Sequence, residues 1–414
     1  MADTGPATCT PSLGGSAEYP FDSDTESGEN ATMNVLLAEN ASSSSEAAVE
    51  ARHRDLKSSL NRHMVDVNPD VPSMKSILLE PYKYLAEAPG KGIRERLISS
   101  FNKWLKVPEK EMRQIVKIIR MLHNASLMID DIEDNSTLRR GIPVVHHIYG
   151  VPSTLNTANY VIFLSLQKCY KLGNEAATSA FINELIRLHR GQGLDVYWRD
   201  NNICPTEEEY ISMVIDKTGG LFRLSVRLMQ SFSKNELSSA DFVPLVNSIG
   251  VYFQILDDYI NLQSEKYMQN KSYCEDIQEG KFSFPLLYAI RANPKDTRIL
   301  NILKQRTDNR EIKAHAVEYL RKTGAFDYTL SVINKLYWQV ESEINKLGGN
   351  ESLQQIMTFL YGISIADKSK GDPEIMKRVA ELQRKEQAAK AAKAAKTDKT
   401  TTDTKEGDQI VVGE

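Results

Sequence analysis

Apolar side chains recur with a helical period through the middle of this 414-residue sequence. They repeat three and four residues apart in segments separated by short polar connections, and no strand-length alternation stands out. Pro89-Gly90 ends the first predicted helix, and Pro108 opens a long one that leads to Asp130. The other predicted helices cover 93–107, 156–172, 178–191, 206–217, 221–232 and 242–263. The pattern predicts an all-α fold.

The two ends of the chain lack this pattern. Residues 1–69 are rich in Ser, Asp, Glu, Gly and Ala and bury too little apolar surface to offset chain entropy, so we expect a disordered extension. Residues 367–414, after a short helix predicted near Asp372, become rich in Ala and Lys without an apolar face and are expected to be mostly disordered. The folded part is therefore predicted to be a single helical domain over residues 70–366.

Composition and charge argue against several classes of protein. A net charge of -4 gives no basic footprint for nucleic acid or for an acidic membrane surface. The four cysteines are scattered and form no CxxC pair, which argues against a zinc or disulfide scaffold and favours a reducing compartment. No apolar run reaches the length of a transmembrane helix, and the first residues do not resemble a secretory signal, so we expect a cytoplasmic protein.

Acidic side chains are concentrated at two of the longest apolar helices. Asp130 and Asp134 are four residues apart on one helical face, where like charges repel and call for compensating cations. Asp257 and Asp258 form a second acidic pair on a later helix. Magnesium ions suit such carboxylates, because proteins hold Mg²⁺ with one or two carboxylates together with substrate phosphates and water.

Basic residues accompany both acidic clusters. Arg139 and Arg140 follow the first cluster, and guanidinium groups bind phosphate bidentately. Lys271 and Lys281 follow the second cluster, and Lys217 lies at a predicted helix break. One cluster alone is explained most simply as a solvated helix end paired with basic residues. Two clusters surrounded by Arg and Lys instead indicate an anionic, phosphorylated ligand bridged by divalent cations.

Several stretches carry a resemblance to a known family. They lie at 80–84, 122–126, 130–141, 191–200, 253–258 and 279–285, in order and with suitable spacing, and the match covers about residues 75–365. They resemble the motifs of the trans-isoprenyl diphosphate synthases, and most closely the eukaryotic geranylgeranyl type. The resemblance implies a helical bundle around a central cavity. It also implies head-to-tail condensation of isopentenyl diphosphate with allylic diphosphates (DMAPP, GPP or FPP) to a C20 product, by ionisation, condensation and elimination.

The resemblance also implies particular site residues and partners. Mg²⁺, as three ions with substrate bound, is expected on Asp130, Asp134 and Asp257; the catalytic set adds Asp131, Lys217 and Asp258. The allylic diphosphate is expected to contact Arg139, Lys217, Thr218, Gln254, Lys271 and Lys281. The homoallylic diphosphate, isopentenyl diphosphate, is expected to contact Lys91, Arg94, His123 and Arg140. The family further implies a homo-oligomer.

Product length is predicted from residues near the first cluster. Ser126 precedes Asp130 by one turn on the same face, with Ala125 beside it, and small side chains there leave room for a C20 chain. The resemblance places deeper blocks at Phe163 and His189. At Ile162, close relatives often have an aromatic residue, which leaves longer products open.

Three alternatives stay open on the sequence alone. The first is a synthase of the same family that makes a C15 or a longer product. The second is a terpene cyclase, which is disfavoured because the N-D-x-x-S-x-x-x-E motif is not found. The third is a non-catalytic regulatory subunit, which is disfavoured because such a chain would have lost one aspartate-rich cluster or its arginines.

Overall fold

Helices make up most of the structure, as the sequence predicts. A computed structural model describes residues 73–88, 90, 92–263, 273–365, 368–385 and 387–388. The described residues from Met74 onward belong to one compact unit. The expected disorder of residues 1–69, the predicted site residues Lys91 and Lys271, and the chain beyond 388 lie outside the described residues. No described helix is long and apolar enough to cross a membrane.

The helices of the first half of the chain, in order, are α1 (Met74–Leu78), α2 (Glu80–Glu87), α3 (Ile93–Leu105), α4 (Glu109–Glu133), α5 (Val145–Tyr149), α6 (Val151–Tyr170), α7 (Glu175–Asn201) and α8 (Glu207–Phe232). Those of the second half are α9 (Val243–Gln263), α10 (Glu275–Glu279), α11 (Phe284–Ala292), α12 (Arg298–Gln305), α13 (Arg310–Lys322), α14 (Ala325–Lys346), α15 (Glu351–Ser364) and α16 (373–385). Short 3₁₀ turns cover Glu236–Ser239 and Lys368–Lys370.

Helix α8 lies at the centre of this arrangement, because it packs against α3, α4, α7 and α9. Helix α4 has two buried apolar faces, which fix its position. One face contributes Ile115, Ile118 and Leu122 to the main core, and the other contributes Ala125 and Met128 to a smaller cluster shared with α6. Since both faces are packed, α4 holds its acidic C-terminal end at a fixed place beside α7 and α8.

Helix α8 is continuous through residues 218–220, where the sequence predicts a break, so that prediction is wrong. Each glycine in a helix costs about 1 kcal/mol relative to alanine, which makes the Gly219-Gly220 pair a reasonable local breaking signal. The pair serves a helix contact instead, because a Cβ on Gly250 of α9 would lie only 3.1 Å from the Cα atom of Gly219. Similarly, α7 runs to Asn201 and does not end at Gly191 as predicted.

A two-stranded β-hairpin follows α4. Its strands are β1 (Leu138–Arg139) and β2 (Ile142–Pro143), paired antiparallel. The loop residues Arg140 and Gly141 have φ values of 56° and 79°, the positive values at both central positions that a type I′ turn requires. This hairpin is too short to show as alternation in the sequence. It separates the two arginines of the basic pair.

The C-terminal helix α16 starts where the sequence predicts a short helix, near Asp372. Its residues Ile375 and Val379 belong to the main apolar core. Its Arg378 guanidinium lies 4.8 Å from the centroid of the Trp338 ring on α14, a cation–π contact. Packed residues are therefore found on both sides of the predicted domain boundary at 366.

Candidate active site

A cavity of about 250 Å³ lies between α4, α6, α7, α8 and α9 and the segment at 281–283. Part of its wall is apolar, formed by residues such as Leu122, Leu127, Ile162, Leu185 and Leu188. The charged groups in its wall are Arg94, Asp130, Glu133, Arg139, Asp195, Lys217, Asp257, Asp258, Asp276 and Lys281. A cavity with an ionic region and hydrocarbon walls suits a ligand that has both a charged head and an apolar chain.

The first acidic cluster divides between the cavity and the protein interior. Asp130 lines the cavity and accepts hydrogen bonds from Gln192 and Arg139, each at 3.3 Å, with the Lys217 ammonium 3.9 Å away. Asp131 is fully buried on the other side and accepts from Arg139 Nε at 2.7 Å. Burial raises the pKa of Asp131 to about 6, although the Arg139 charge opposes the shift. Arg139 therefore bridges the two neighbouring carboxylates.

Asp134, one turn after Asp130, is held by two cations from distant parts of the chain. The buried Arg199 guanidinium of α7 lies 2.5 Å from its carboxylate and also donates to the Glu133 carbonyl oxygen at 2.9 Å. The Lys281 ammonium forms an ion pair with the other carboxylate oxygen. Burial opposes the charge of Lys281, yet Asp134 and neighbouring carboxylates raise the pKa of that lysine well above its usual value. Asp134 is not part of the cavity wall.

The two aspartates of the second acidic pair also lie in different environments. Asp257 lines the cavity, on α9. Asp258, beside it, is 5% exposed and accepts hydrogen bonds from the Tyr210 hydroxyl (2.5 Å), the Gln254 amide (2.9 Å) and the Phe284 backbone N–H (2.8 Å). Burial raises the pKa of Asp258 to about 6. With three donors already on it, Asp258 holds α8, α9 and α11 together at the edge of the cavity.

Two residues at the middle of α8 face the charged region. The Lys217 ammonium forms a salt bridge with Asp195 of α7. Burial lowers the pKa of Lys217, but the carboxylate of Asp195 outweighs this effect, so the net shift is upward and the lysine keeps its charge. The hydroxyl of Thr218 donates to Gln254 Oε1 at 2.7 Å, which links α8 to α9.

Arg94 and His123 also line the cavity and contact each other. Arg94 Nη1 lies 2.8 Å from His123 Nε2, so the imidazole nitrogen accepts and the ring is neutral. Burial and the Arg94 charge hold the pKa of His123 well below its usual value, and burial lowers the pKa of Arg94 to about 10. Arg140 does not line the cavity; it donates to Asn124 Oδ1 at 2.9 Å and to two carbonyl oxygens near the end of α2.

The residues predicted to set product length lie in three different environments. Ser126, Ile162 and His189 line the cavity, and the Ser126 hydroxyl donates to the His123 carbonyl oxygen at 2.9 Å. Ala125 is fully buried in the small apolar cluster between α4 and α6, behind the cavity wall. Phe163 is 68% exposed and is not part of the wall.

Among the described residues of the cavity wall, the negatively charged side chains are carboxylates, and carboxylate oxygens are ligands that suit a hard cation. Among the described residues, no group of three or more His, Cys, Asp or Glu side chains is arranged to hold a metal ion without further ligands. Mg²⁺ fits both observations, because it prefers oxygen and completes its six-fold shell with water and substrate phosphate.

Comparisons with known proteins identify the family of this chain. Residues 75–320 match the family model described as polyprenyl synthetase. The chain belongs to this family. A geranylgeranyl pyrophosphate synthase of Dictyostelium discoideum is 54% identical over 288 residues, which cover 70% of this chain and 94% of that protein. One of Mucor circinelloides f. lusitanicus is 54% identical over 283 residues, covering 68% and 92%. A protein of Matsumurasca onukii named terpene synthase is 52% identical over 283 residues, with the same coverages.

The polyprenyl synthetase cavity brings together most of the residues that the sequence singles out. Those in its wall are Arg94, His123, Ser126, Asp130, Arg139, Ile162, His189, Lys217, Thr218, Gln254, Asp257, Asp258 and Lys281. Those outside the wall are Ala125, Asp131, Asp134, Arg140 and Phe163. Direct contact of any of these five with a ligand in the cavity would require its side chain to change its present contacts.

Some residues of the site were not assigned a role from the sequence. Gln192 and Asp195 on α7 line the cavity, and Arg199 on the same helix holds Asp134. Their spacing of three and four residues places these polar groups on one face of a helix, and this periodicity can be read from the sequence as an indication of a shared polar site. Tyr210 also lines the cavity, but an isolated tyrosine in a helix gives no comparable pattern.

Proposed function

We propose that the chain is a geranylgeranyl diphosphate synthase. It condenses isopentenyl diphosphate head-to-tail with an allylic diphosphate (DMAPP, GPP or FPP) and releases the C20 product. The observation that supports the proposal is the presence of Asp130 and Asp257, from two different helices, in one cavity that also contains Lys217 and Lys281 and has an apolar wall. The names of the Dictyostelium and Mucor relatives support the same product.

Magnesium is part of this proposal, with three ions when substrate is bound. Asp130 and Asp134 would hold ions at one side, and Asp257 at the other. Asp134 must give up at least one of its present cationic partners, Arg199 or Lys281, to do so. When bound, Mg²⁺ supplies positive charge to the diphosphate oxygens and so stabilises the leaving group.

The residues of the chain supply the rest of the mechanism. Arg139, Lys217 and Lys281 place fixed positive charges beside the position where negative charge develops as the allylic C–O bond breaks. In the structure each of these cations is paired with a carboxylate. A bound diphosphate would therefore take the place of that carboxylate as the partner of the positive charge. The apolar wall around Ser126 and Ile162 excludes water from the hydrocarbon chain. We assign no protein base to the elimination step, because the departed diphosphate can accept the proton.

The two diphosphates are proposed to bind at different sides of the site. The allylic diphosphate would contact Arg139, Lys217, Thr218, Gln254, Lys271 and Lys281, and the homoallylic diphosphate would contact Lys91, Arg94, His123 and Arg140. The neutral state of His123 supports a hydrogen-bonding and orienting role for this residue, since it carries no charge to offer the diphosphate.

The test is a product assay on the purified full-length chain with farnesyl diphosphate, labelled isopentenyl diphosphate and Mg²⁺. After phosphatase treatment, chromatography is expected to show geranylgeraniol as the main alcohol. An Asp130→Ala variant of the same chain is the matched control and is expected to give no product. A main product of C15, or of C25 and longer, would contradict the C20 assignment, and no turnover by the wild type would contradict the enzyme.

A second candidate function rests on the Matsumurasca relative, which is named a terpene synthase. The same assay distinguishes it, because a cyclase releases a hydrocarbon from an allylic diphosphate without consuming isopentenyl diphosphate. A headspace hydrocarbon in the absence of isopentenyl diphosphate would favour that function. The cluster of lysines and arginines around the cavity favours elongation, since a second diphosphate substrate requires additional positive charge.

A homo-oligomer and a cytoplasmic location complete the proposal. Phe163 on α6 and Ile182, Ile186 and Tyr197 on α7 leave large apolar side chains exposed on two neighbouring helices. Exposed apolar side chains grouped in this way favour contact with a second copy of the chain. The free thiols of the three described cysteines support a reducing compartment.

A further inference from the structure

One buried ion pair lies outside the cavity wall and next to the part of α8 that carries Lys217 and Thr218. The side chains of Arg223 on α8 and Glu184 on α7 are each 1% exposed, a degree of burial that charged groups tolerate only when they are paired. Nε and Nη2 of Arg223 each lie 2.9 Å from Glu184 Oε2. The mechanism proposed above uses neither residue.

The remaining nitrogen of the Arg223 guanidinium donates to α8 itself. Nη1 lies 2.6 Å from the Ile215 carbonyl oxygen and 2.9 Å from Asn247 Oδ1 of α9. In a regular α-helix, the carbonyl of residue 215 accepts from the amide of residue 219. The guanidinium therefore donates inside the turn 215–219 and connects that turn to α7 and α9.

The guanidinium can reach this turn because residue 219 is a glycine. A Cβ at Gly219 would lie 2.7 Å from Arg223 Nη1, so the guanidinium would have to move away from its present position. The same glycine admits the backbone of α9 at Gly250. Gly219 and Gly220 weaken the helix locally, and the sequence alone predicts a break there. The hydrogen bond from the buried Arg223 guanidinium to the Ile215 carbonyl oxygen stabilises the turn that the glycines weaken.

We propose that Arg223, held by Glu184, is a positioning residue that keeps the turn 215–219 helical and thereby aims Lys217 and Thr218 into the diphosphate site. Lys217 reaches to within 3.9 Å of Asp130, and the Thr218 hydroxyl reaches Gln254 at 2.7 Å. The orientations of both side chains depend on the turn that Arg223 contacts. The kinetic consequence rests on the proposed prenyl transfer, whereas the structural consequence does not.

The structural arm compares backbone hydrogen exchange in Arg223→Gln and Arg227→Gln variants of the full chain, without substrate. Arg227 is the matched control, because it contacts the other carboxylate oxygen of Glu184 at 3.3 Å and its loss leaves the donation to Ile215 in place. Amides in peptides covering 215–220 are expected to exchange about tenfold faster in Arg223→Gln and within about twofold of wild type in Arg227→Gln. Equal exchange of these peptides in wild type and Arg223→Gln would overturn the proposal.

A second variant covers the case in which Arg223→Gln does not fold. Arg223→Lys keeps a positive charge on Glu184 but replaces the planar fork with a single ammonium, which cannot serve Glu184, Ile215 and Asn247 in the same geometry. It is expected to show the same local increase in exchange, with a cooperative thermal transition retained. If Arg223→Lys showed wild-type hydrogen exchange at 215–220, the proposal that the guanidinium stabilises this turn would be overturned.

The kinetic arm separates positioning from general stability. In the folded Arg223 variant, KM for the allylic diphosphate is expected to rise about tenfold, while KM for isopentenyl diphosphate stays within about twofold. A lower melting temperature with both KM values unchanged, or an equal rise in both, would overturn the positioning role. If the wild type turns over no diphosphates, the proposed function fails, and hydrogen exchange still decides whether Arg223 braces the turn.

Discussion

Gly191 and Lys217 meet at a close approach of α7 and α8. A Cβ on residue 191 would lie 2.5 Å from the Lys217 backbone nitrogen and 2.9 Å from the Met213 carbonyl oxygen. Both of those atoms belong to backbone, so they cannot move aside as a flexible side chain does. The contact fixes the distance between the helix that carries Gln192 and the one that carries Lys217, two side chains that reach Asp130.

The first prediction follows from this contact. Gly191→Ala is expected to force α7 and α8 apart, with a loss of about 1–3 kcal/mol in the free energy of unfolding, as for other overpacked sites. Gly193→Ala is the matched control on the same helix, because a Cβ there would meet nothing within 4 Å. It is expected to stabilise the protein by about 0.4–1 kcal/mol through the unfolded state. Urea unfolding of both variants measures the difference, and equal stabilities would contradict the close contact.

The second prediction separates the two adjacent carboxylates of the first cluster. Asp130→Asn is expected to lower kcat by about 10²–10³-fold, by analogy with the loss of one group that stabilises developing charge. Its stability is expected to stay within about 0.5 kcal/mol of wild type, since the side chain lies in the cavity wall.

Asp131→Asn is expected to act differently, because its buried carboxylate pairs with Arg139. We expect a loss of about 1–3 kcal/mol in the free energy of unfolding, the usual cost of weakening a buried polar pair. Chemical unfolding and steady-state kinetics on the two variants give the comparison. A stable but inactive Asp131→Asn variant would show that this carboxylate acts directly at the substrate.

The acidic clusters could be found from the sequence because both the helical period and the charge pattern are local. The partners of Asp134 could not, because Arg199 and Lys281 are 65 and 147 residues away along the chain. Their contacts depend on how α7 and the segment after α10 pack, which no short window contains.

Local helix propensity also gives a wrong prediction where packing against another helix offsets an unfavourable residue. The glycines at 219 and 220 indicate a helix end, yet α9 packs on Gly219, α7 packs on Gly220, and the helix continues. Apolar periodicity has a related limit, because it cannot separate a cavity wall from an exposed apolar face. Ile162 and Phe163 are neighbours in sequence; the first lines the cavity, and the second faces outward.

The third prediction concerns product length. Ser126→Phe places an aromatic ring in the cavity wall one turn before Asp130, so the main product is expected to shorten from C20 to C15. Phe163→Ala is expected to leave the product length unchanged, because this side chain is outside the wall. Chromatography of the dephosphorylated products measures both effects.

Ala125→Phe supplies a further contrast on the same helix. Ala125 is fully buried between α4 and α6, so a phenyl ring there is expected to destabilise the protein by about 1–3 kcal/mol or more. A folded Ala125→Phe variant that makes a shorter product would show that the ring reaches the cavity through a repacked wall.

The fourth prediction is a pH dependence that comes from His123. Its folded-state pKa lies well below the usual value, because the ring is buried and next to Arg94. In the unfolded chain the ring titrates near pH 6.5, so below that pH the unfolded state binds a proton that the folded state does not. Stability from this residue is therefore complete above about pH 6.5 and decreases as the pH falls, by up to about 1.4 kcal/mol at pH 5.5.

Comparison with His123→Gln isolates this contribution, because all other titrating groups are shared. When the pH is lowered from 7.5 to 5.5, the free energy of unfolding is expected to decrease more in the wild type than in the variant. Thermal or urea unfolding at the two pH values measures the shift. A constant difference would mean that His123 titrates equally in the folded and unfolded states.

The last prediction tests the proposed oligomer. Phe163 and Ile186 are 68% and 61% exposed on α6 and α7, and a second copy would remove these side chains from water. Phe163→Asp together with Ile186→Asp is expected to halve or further reduce the mass measured by sedimentation or light scattering, because a carboxylate buried without a partner is strongly unfavourable. Ile363→Asp on α15 is the matched control, since its side chain is similarly exposed at 52% but lies on another helix. A wild-type monomer, or an unchanged mass in the double variant, would contradict an interface on α6 and α7.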